Sequence, residues 1–194
     1  MSGMCGCSKP DILSNVDSAL SGAESQLESL VEGESGDEEK SNNNTFSAKD
    51  SIDLKADTKI IGNDDYGYMR IPSDFERIND VEGNDNLQYS DKKGSTVFTL
   101  NKIPIDIGPA EAFINLKSKL EQDGAVDIET ETDTALNSYF GNKISCYFKD
   151  EDKYVLIYFI PFSDRIAYIA VEYALENENL TDYTKTWQPF EIDD

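Results

Sequence analysis

Lys143–Tyr173, KISCYFKDEDKYVLIYFIPFSDRIAYIAVEY, gathers enough apolar and aromatic residues to build the middle of a sheet. Two runs within it, Tyr154–Ile160 and Ile166–Val171, are rich in Tyr, Ile, Val and Phe and are bounded by turn residues, which predicts strands. A third run, Lys143–Phe148, precedes the turn Lys149–Lys153, so the three form an antiparallel meander. Polar alternation is missing. On Tyr154–Ile160 one face carries Tyr154, Leu156, Tyr158 and Ile160, and the other carries Val155, Ile157 and Phe159. Neither face suits water, so both need cover, and helices are the expected cover.

Working outward, Lys59–Ile61 and Tyr66–Ile71 flank the turn Gly62-Asn63-Asp64-Asp65, and Pro72 closes the second run by withholding an amide. Ser73 followed by Glu76 has capping-box spacing, which predicts a short helical turn at Ser73-Asp74-Phe75. Leu87–Ser90 and Thr96–Leu100 form a second hairpin across Asp91-Lys92-Lys93-Gly94. Pro109–Asp123 is the clearest helix, opened by Gly108 and Pro109, closed by Gly124, with Phe113, Leu116 and Leu120 on one face. Val126–Thr132 alternates apolar with acidic residues, as an edge strand would. Leu180, Tyr183, Thr184 and Trp187 recur at helical spacing, predicting a second covering helix at Leu180–Gln188 that Pro189 stops. The fold class is therefore α+β over 58–192, an antiparallel sheet with helices on both faces, preceded by a disordered acidic tail.

That tail follows from composition. The chain has 194 residues and a formal charge of −22, about −8 of it in residues 1–57 and about −14 in the rest. Of its 20 aromatic residues only Phe46 precedes Thr58. Gly33–Asp57 cannot bury enough surface to offset its ordering entropy, and Asp11–Val31 has only a weak helical period. Residues 8–57 are expected to be a flexible tether, in part helical. The strong negative charge argues against nucleic acid as a partner. The sequence contains no histidine, which removes His-based triads and His metal ligands.

The N-terminus supplies an address. Met4-Cys5-Gly6-Cys7 resembles the lipobox of bacterial lipoproteins, in which a small residue precedes a cysteine that is diacylated and becomes the mature N-terminus. Cys7 is then the lipidated residue and residues 1–7 the remnant of a signal peptide whose charged and apolar portions precede the chain as given. The expected location is the outer face of the bacterial cytoplasmic membrane. In the bland reading, Cys5 and Cys7 are exposed thiols on a frayed terminus.

Candidate chemistry is sparse. Carboxylates are abundant, but no spacing nominates the pair that glycosidase chemistry needs. Asn63–Asp65 and Asp80–Asn86 offer oxygens suited to calcium without the pattern of an EF-hand loop, so solvated loops are expected and no metal residue is assigned. Cys146 lies in a predicted central strand, where a thiol acts as a small hydrophobe, and no histidine is present to activate it. Tyr147, Tyr154, Tyr158 and Tyr168 would line an aromatic surface if the helix cover is incomplete, and pack in the core if it is not. No catalytic, cofactor or metal residue is expected.

The order of elements, with Tyr66-Gly67-Tyr68-Met69-Arg70-Ile71-Pro72-Ser73-Asp74-Phe75 in the first hairpin and Trp187-Gln188-Pro189-Phe190-Glu191-Ile192 at the end, resembles the PsbP-like family over residues 58–192. That family includes the extrinsic photosystem subunit and many bacterial lipoproteins of unknown role. The resemblance implies an αβα sandwich and transfers no functional residue. The expected function is a non-catalytic binding or scaffolding domain on a membrane-anchored lipoprotein, with the membrane and a protein or polymer as partners. The alternative is a carboxylate-based hydrolase of wall or glycan material.

Overall fold

The central meander is present and longer than its apolar runs. A computed structural model of the chain describes residues 57–78 and 86–192. Its strands are β1 (Thr58–Asn63), β2 (Gly67–Pro72), β3 (Glu76–Arg77), β4 (Leu87–Ser90), β5 (Thr96–Pro104), β6 (Ala125–Leu136), β7 (Tyr139–Phe148), β8 (Lys153–Pro161) and β9 (Arg165–Tyr173). One α-helix, α1 (Pro109–Gln122), joins β5 to β6, and a 3₁₀ segment, Leu175–Thr186, follows β9. Seven strands form one antiparallel sheet in the order β3-β4-β5-β9-β8-β7-β6, and β1 pairs with β2 alone.

Because β9 inserts between β5 and β8, the link from β5 to β6 must pass over β9, β8 and β7. Four strand spacings amount to ~19 Å, and a 14-residue helix is about 21 Å long. A helix of this length therefore spans that half of the sheet. Ala112, Leu116 and Leu120, all buried, pack with Ile144, Cys146, Phe148, Val155, Ile157, Phe159 and Tyr168.

The opposite face buries Tyr158, Ile160, Ala167, Ile169 and Val171, so both faces of β8 and β9 are apolar as expected. Its cover differs from the expected α-helix at Leu180–Gln188. The β1–β2 hairpin contributes Ile61, Tyr66, Met69 and Ile71, and the 3₁₀ segment contributes Tyr183 followed by Trp187. The reason lies in the threonines. Hydroxyls of Thr181, Thr184 and Thr186 each donate to the carbonyl three residues earlier, at 2.7 Å. Such local bonds compete with the i to i−4 ladder, and Asn, Asp and Thr are weak helix formers.

Two smaller expectations are also corrected. Ser73 does not cap a helix: its hydroxyl donates to Asp57 at 2.6 Å, Phe75 is buried, and Glu76 begins β3 opposite Ser90. The edge strand β6 is longer than its alternating run and carries register shifts between Val126 and Glu129 and between Glu131 and Thr134. Asp127 and Asp133 sit in these irregularities at φ 52° and 54°. Bulged, acidic edges of this kind discourage pairing with a second sheet.

The end of the domain closes over its beginning. Tyr68 and Gln188 exchange backbone hydrogen bonds at 2.8 and 2.9 Å. Fully buried Trp187 donates its indole N–H to the Tyr66 carbonyl at 3.1 Å and meets Tyr139 edge-on at 5.8 Å. Gly67, at φ +78°, lies beneath the indole: a Cβ there would come within 2.6 Å of Nε1.

Candidate functional site

The meander register assembles a site that no single strand contains. Tyr147 lies opposite Tyr154, and Tyr154 opposite Tyr173, so three tyrosines cross β7, β8 and β9 in one row. Their ring centroids are 4.6 and 5.7 Å apart with interplanar angles of 33° and 26°. The row lies on the face carrying the hairpin and the 3₁₀ segment, and all three residues are partly exposed. Leu156, two residues beyond Tyr154 on the same face, is also partly exposed.

Carboxylates lie along this row. The Tyr147 hydroxyl donates to Asp152 at 2.7 Å, and that bond raises the phenol's pKa above its ordinary value. Burial, and then the nearby Glu178 carboxylate, raise the Tyr173 phenol. Both rings therefore stay neutral at ordinary pH. What the row offers is ring surface, phenol oxygens and negative charge, held on a strand scaffold with little conformational freedom to lose.

On the helix side, Glu172 is the one fully buried charged residue among the described residues. Lys153 lies 3.7 Å from its carboxylate. Burial, with a smaller push from Glu172, moves the Cys146 thiol up to about 12. Burial likewise carries the Tyr168 phenol well above its ordinary range, with Glu172 and Cys146 adding to it, and its hydroxyl has no hydrogen-bond partner. This cluster is structural rather than nucleophilic.

The residues considered from sequence fall into distinct places. Tyr147 and Tyr154 join the exposed row, whereas Tyr158 and Tyr168 are buried in opposite cores. Cys146 is buried, as its position in a central strand predicts. The Asn63–Asp65 oxygens are engaged locally: Asn63 Oδ1 accepts from the Asp65 and Tyr66 amides, Asp64 accepts from the Tyr68 hydroxyl, and Asp65 pairs with Lys102 at 2.7 Å. Among the described residues no three His, Cys, Asp or Glu side chains group as metal ligands. Cys7 and Asp80–Asp85 lie outside the described residues. Tyr173 was not among the residues singled out from sequence. Its signal was register: Tyr147 and Tyr154 are equidistant from the middle of one turn, and Tyr154 and Tyr173 from the middle of the next.

The architecture has a match among solved structures. The solution structure of cyanobacterial PsbP (CyanoP) from Synechocystis sp. PCC 6803 superposes with a TM-score of 0.52 over 75% of this chain and 99% of that one, at 8% sequence identity. The fold is PsbP-like. A crystal structure from Bacteroides thetaiotaomicron VPI-5482 overlaps 68% of this chain and 47% of that chain at 11% identity and a TM-score of 0.41, too low to add to the comparison. No protein-family model and no curated protein matches the sequence. At this identity the PsbP-like likeness concerns backbone architecture alone, and the tyrosine row stands on this chain's own residues. Among the described residues no helix is long and apolar enough to cross a membrane.

Proposed function

We propose that the chain is a lipoprotein on the outer face of the bacterial cytoplasmic membrane, anchored through Cys7, whose PsbP-like domain is a non-catalytic binding module. Its working surface is the row Tyr147, Tyr154 and Tyr173, and its partner is a protein or polymer outside the cytoplasm. The observation that supports this reading is the row itself: three stacked, partly exposed aromatic rings in cross-strand register, flanked by carboxylates. Aromatic rings on a rigid sheet give contact area at low entropic cost, which suits recognition. The polar 8–57 tether would carry the domain away from the anchor.

The test has two arms. Mass spectrometry of the native protein should find Cys7 as a diacylated N-terminus; an unmodified chain that keeps Met1, recovered from cytosol, removes the anchor. Retention of the full chain on purified envelope material should fall when Tyr147 and Tyr154 are both replaced by Ala, with the melting temperature little changed. Equal retention of that variant sinks the binding surface. Turnover of wall glycan by the purified protein would instead support the carboxylate-based hydrolase.

A further inference from the structure

The row also sets phenol beside phenol, which brings a chemistry of its own. Tyr139 meets Phe162 and Trp187, and Tyr168 meets Phe159, so those rings have neighbours without a phenol oxygen. Tyr147 and Tyr154 are cross-strand partners, with ring centroids 4.6 Å apart and planes inclined by 33°. Their backbones are fixed by buried neighbours, Cys146 and Phe148 beside Tyr147 and Val155 beside Tyr154, so the rings stay together while the sheet is intact. Both side chains are partly exposed and open to an oxidant in solution. Tyr147 has a proton acceptor in place as well, because its hydroxyl donates to Asp152 at 2.7 Å. That bond raises the phenol's pKa, so at ordinary pH the ring is neutral and must shed a proton when it loses an electron. A carboxylate already hydrogen-bonded to that proton makes the loss easier.

We propose that Tyr147 and Tyr154 are a site of oxidative crosslinking, joined as dityrosine by a haem peroxidase acting with hydrogen peroxide. Tyr147 gives an electron to the oxidant and its hydroxyl proton to Asp152; Tyr154 gives an electron to the oxidant and its proton to water. Each phenoxyl radical shares its unpaired electron with the ring carbons next to the one that bears oxygen. One such carbon from each ring forms the new C–C bond. The hydrogens on those two carbons then move to the two oxygens, and both phenols are restored. Two electrons and two protons leave in total, and one hydrogen peroxide takes them up to become two waters. The product ties β7 to β8 across residues 149–152 without altering the register. Tyr173 is placed less well, since its ring stands 5.7 Å from that of Tyr154. This modification does not depend on what the domain binds.

The experiment treats the purified full chain, kept dilute, with a haem peroxidase and hydrogen peroxide. Dityrosine fluorescence should appear while the chain keeps its monomeric size. Trypsin, cutting after Lys149 and Lys153, places the two tyrosines in different peptides, so mass spectrometry should find those peptides joined with the loss of two hydrogens. Tyr147→Phe and Tyr154→Phe keep both rings and should each remove this product. Asp152→Asn should slow its formation about tenfold. Tyr68→Phe is the control, because the Tyr68 hydroxyl also donates to an acid, Asp64 at 2.9 Å, and its loss should leave the yield unchanged. Melts followed by Trp187 fluorescence before treatment confirm that each variant is folded. Absence of the joined peptides, a product formed only between two chains, or an equal yield from Tyr147→Phe overturns the proposal. An unchanged rate in Asp152→Asn overturns the proton path through that carboxylate.

Discussion

Replacing Gly67 with Ala tests whether the C-terminal closure is as tight as the contacts imply. Two effects act together. The left-handed backbone, at φ +78°, opposes any L side chain by ~1–2 kcal/mol. The added Cβ would lie 2.6 Å from Trp187 Nε1 and 2.7 Å from the Gln188 carbonyl, so the indole must shift. Overpacking of this kind costs about 1–3 kcal/mol, and losing the indole bond to Tyr66 strands a buried donor at about 1–3 kcal/mol more. A destabilisation of about 3–8 kcal/mol follows, a large part of a typical domain's stability. Gly94 provides the internal control. It has φ +68° and open space where a Cβ would go, so Gly94→Ala should show only the backbone effect of ~1–2 kcal/mol. Urea unfolding followed through Trp187, the single tryptophan, measures both. If Gly67→Ala and Gly94→Ala agree within about 1 kcal/mol, the indole does not seal the hairpin as described.

Tyr168→Phe removes a buried hydroxyl that lacks a partner, so at pH 7 the variant should be as stable as the parent or up to ~1 kcal/mol more so in the same urea assay. Both the Cys146 thiol and the Tyr168 phenol have folded pKa values raised above their ordinary 9.0 and 10.0, so their contribution is fully present below pH 9 and is lost as pH rises, toward about 12 for the thiol. Thermal melts should therefore fall steeply above pH 10, at about 1.4 kcal/mol per pH unit for each group, and Tyr168→Phe should flatten that limb; an unchanged limb would refute the assignment. Iodoacetamide at pH 8, followed by peptide mass spectrometry, should leave Cys146 unlabelled until denaturant is added, and prompt labelling of the native domain would contradict its burial. Lys153→Met removes the cation beside buried Glu172 and should destabilise by about 3 kcal/mol in urea, whereas a surface ion pair would register under 1 kcal/mol.

The sheet was legible in the sequence because its evidence is local. Val155, Ile157 and Phe159 on one side, with Tyr158 and Ile160 on the other, already require two cores, and the structure places them in two. The helix α1 was equally plain, since Pro109 and Gly124 bracket a single apolar stripe. The second cover was not. Leu180 and Tyr183, three apart, fit a 3₁₀ repeat as well as an α-helical one, Trp187 follows only after the 3₁₀ segment has ended, and the threonine hydroxyls decide between the two only through their bonds to carbonyls. Ser73 and Glu76 have the spacing of a helix cap, but pairing with β4 outweighs that local preference. Of the site, Tyr147 and Tyr154 were visible as candidates, while Tyr173 became a third member only when the β8–β9 register aligned it. Glu172 looked like an ordinary acid near a strand end. Its burial depends on β5 pairing from the other side, a contact between distant parts of the chain.

The bond between Trp187 and Tyr66 spans 121 residues, and it sets a timetable. As the chain emerges from a ribosome or a translocation pore, the first hairpin appears early with Tyr66, Met69 and Ile71 bare on one side. The strands it must lie upon, β8 and β9, emerge long afterwards, and Trp187 and Gln188 later still. Contacts of such separation form late and slowly. The domain therefore cannot lock while it is being made. If the lipoprotein reading proposed above holds, the chain would gain from that delay, staying threadable until nearly all of it has crossed the membrane and becoming rigid only afterwards.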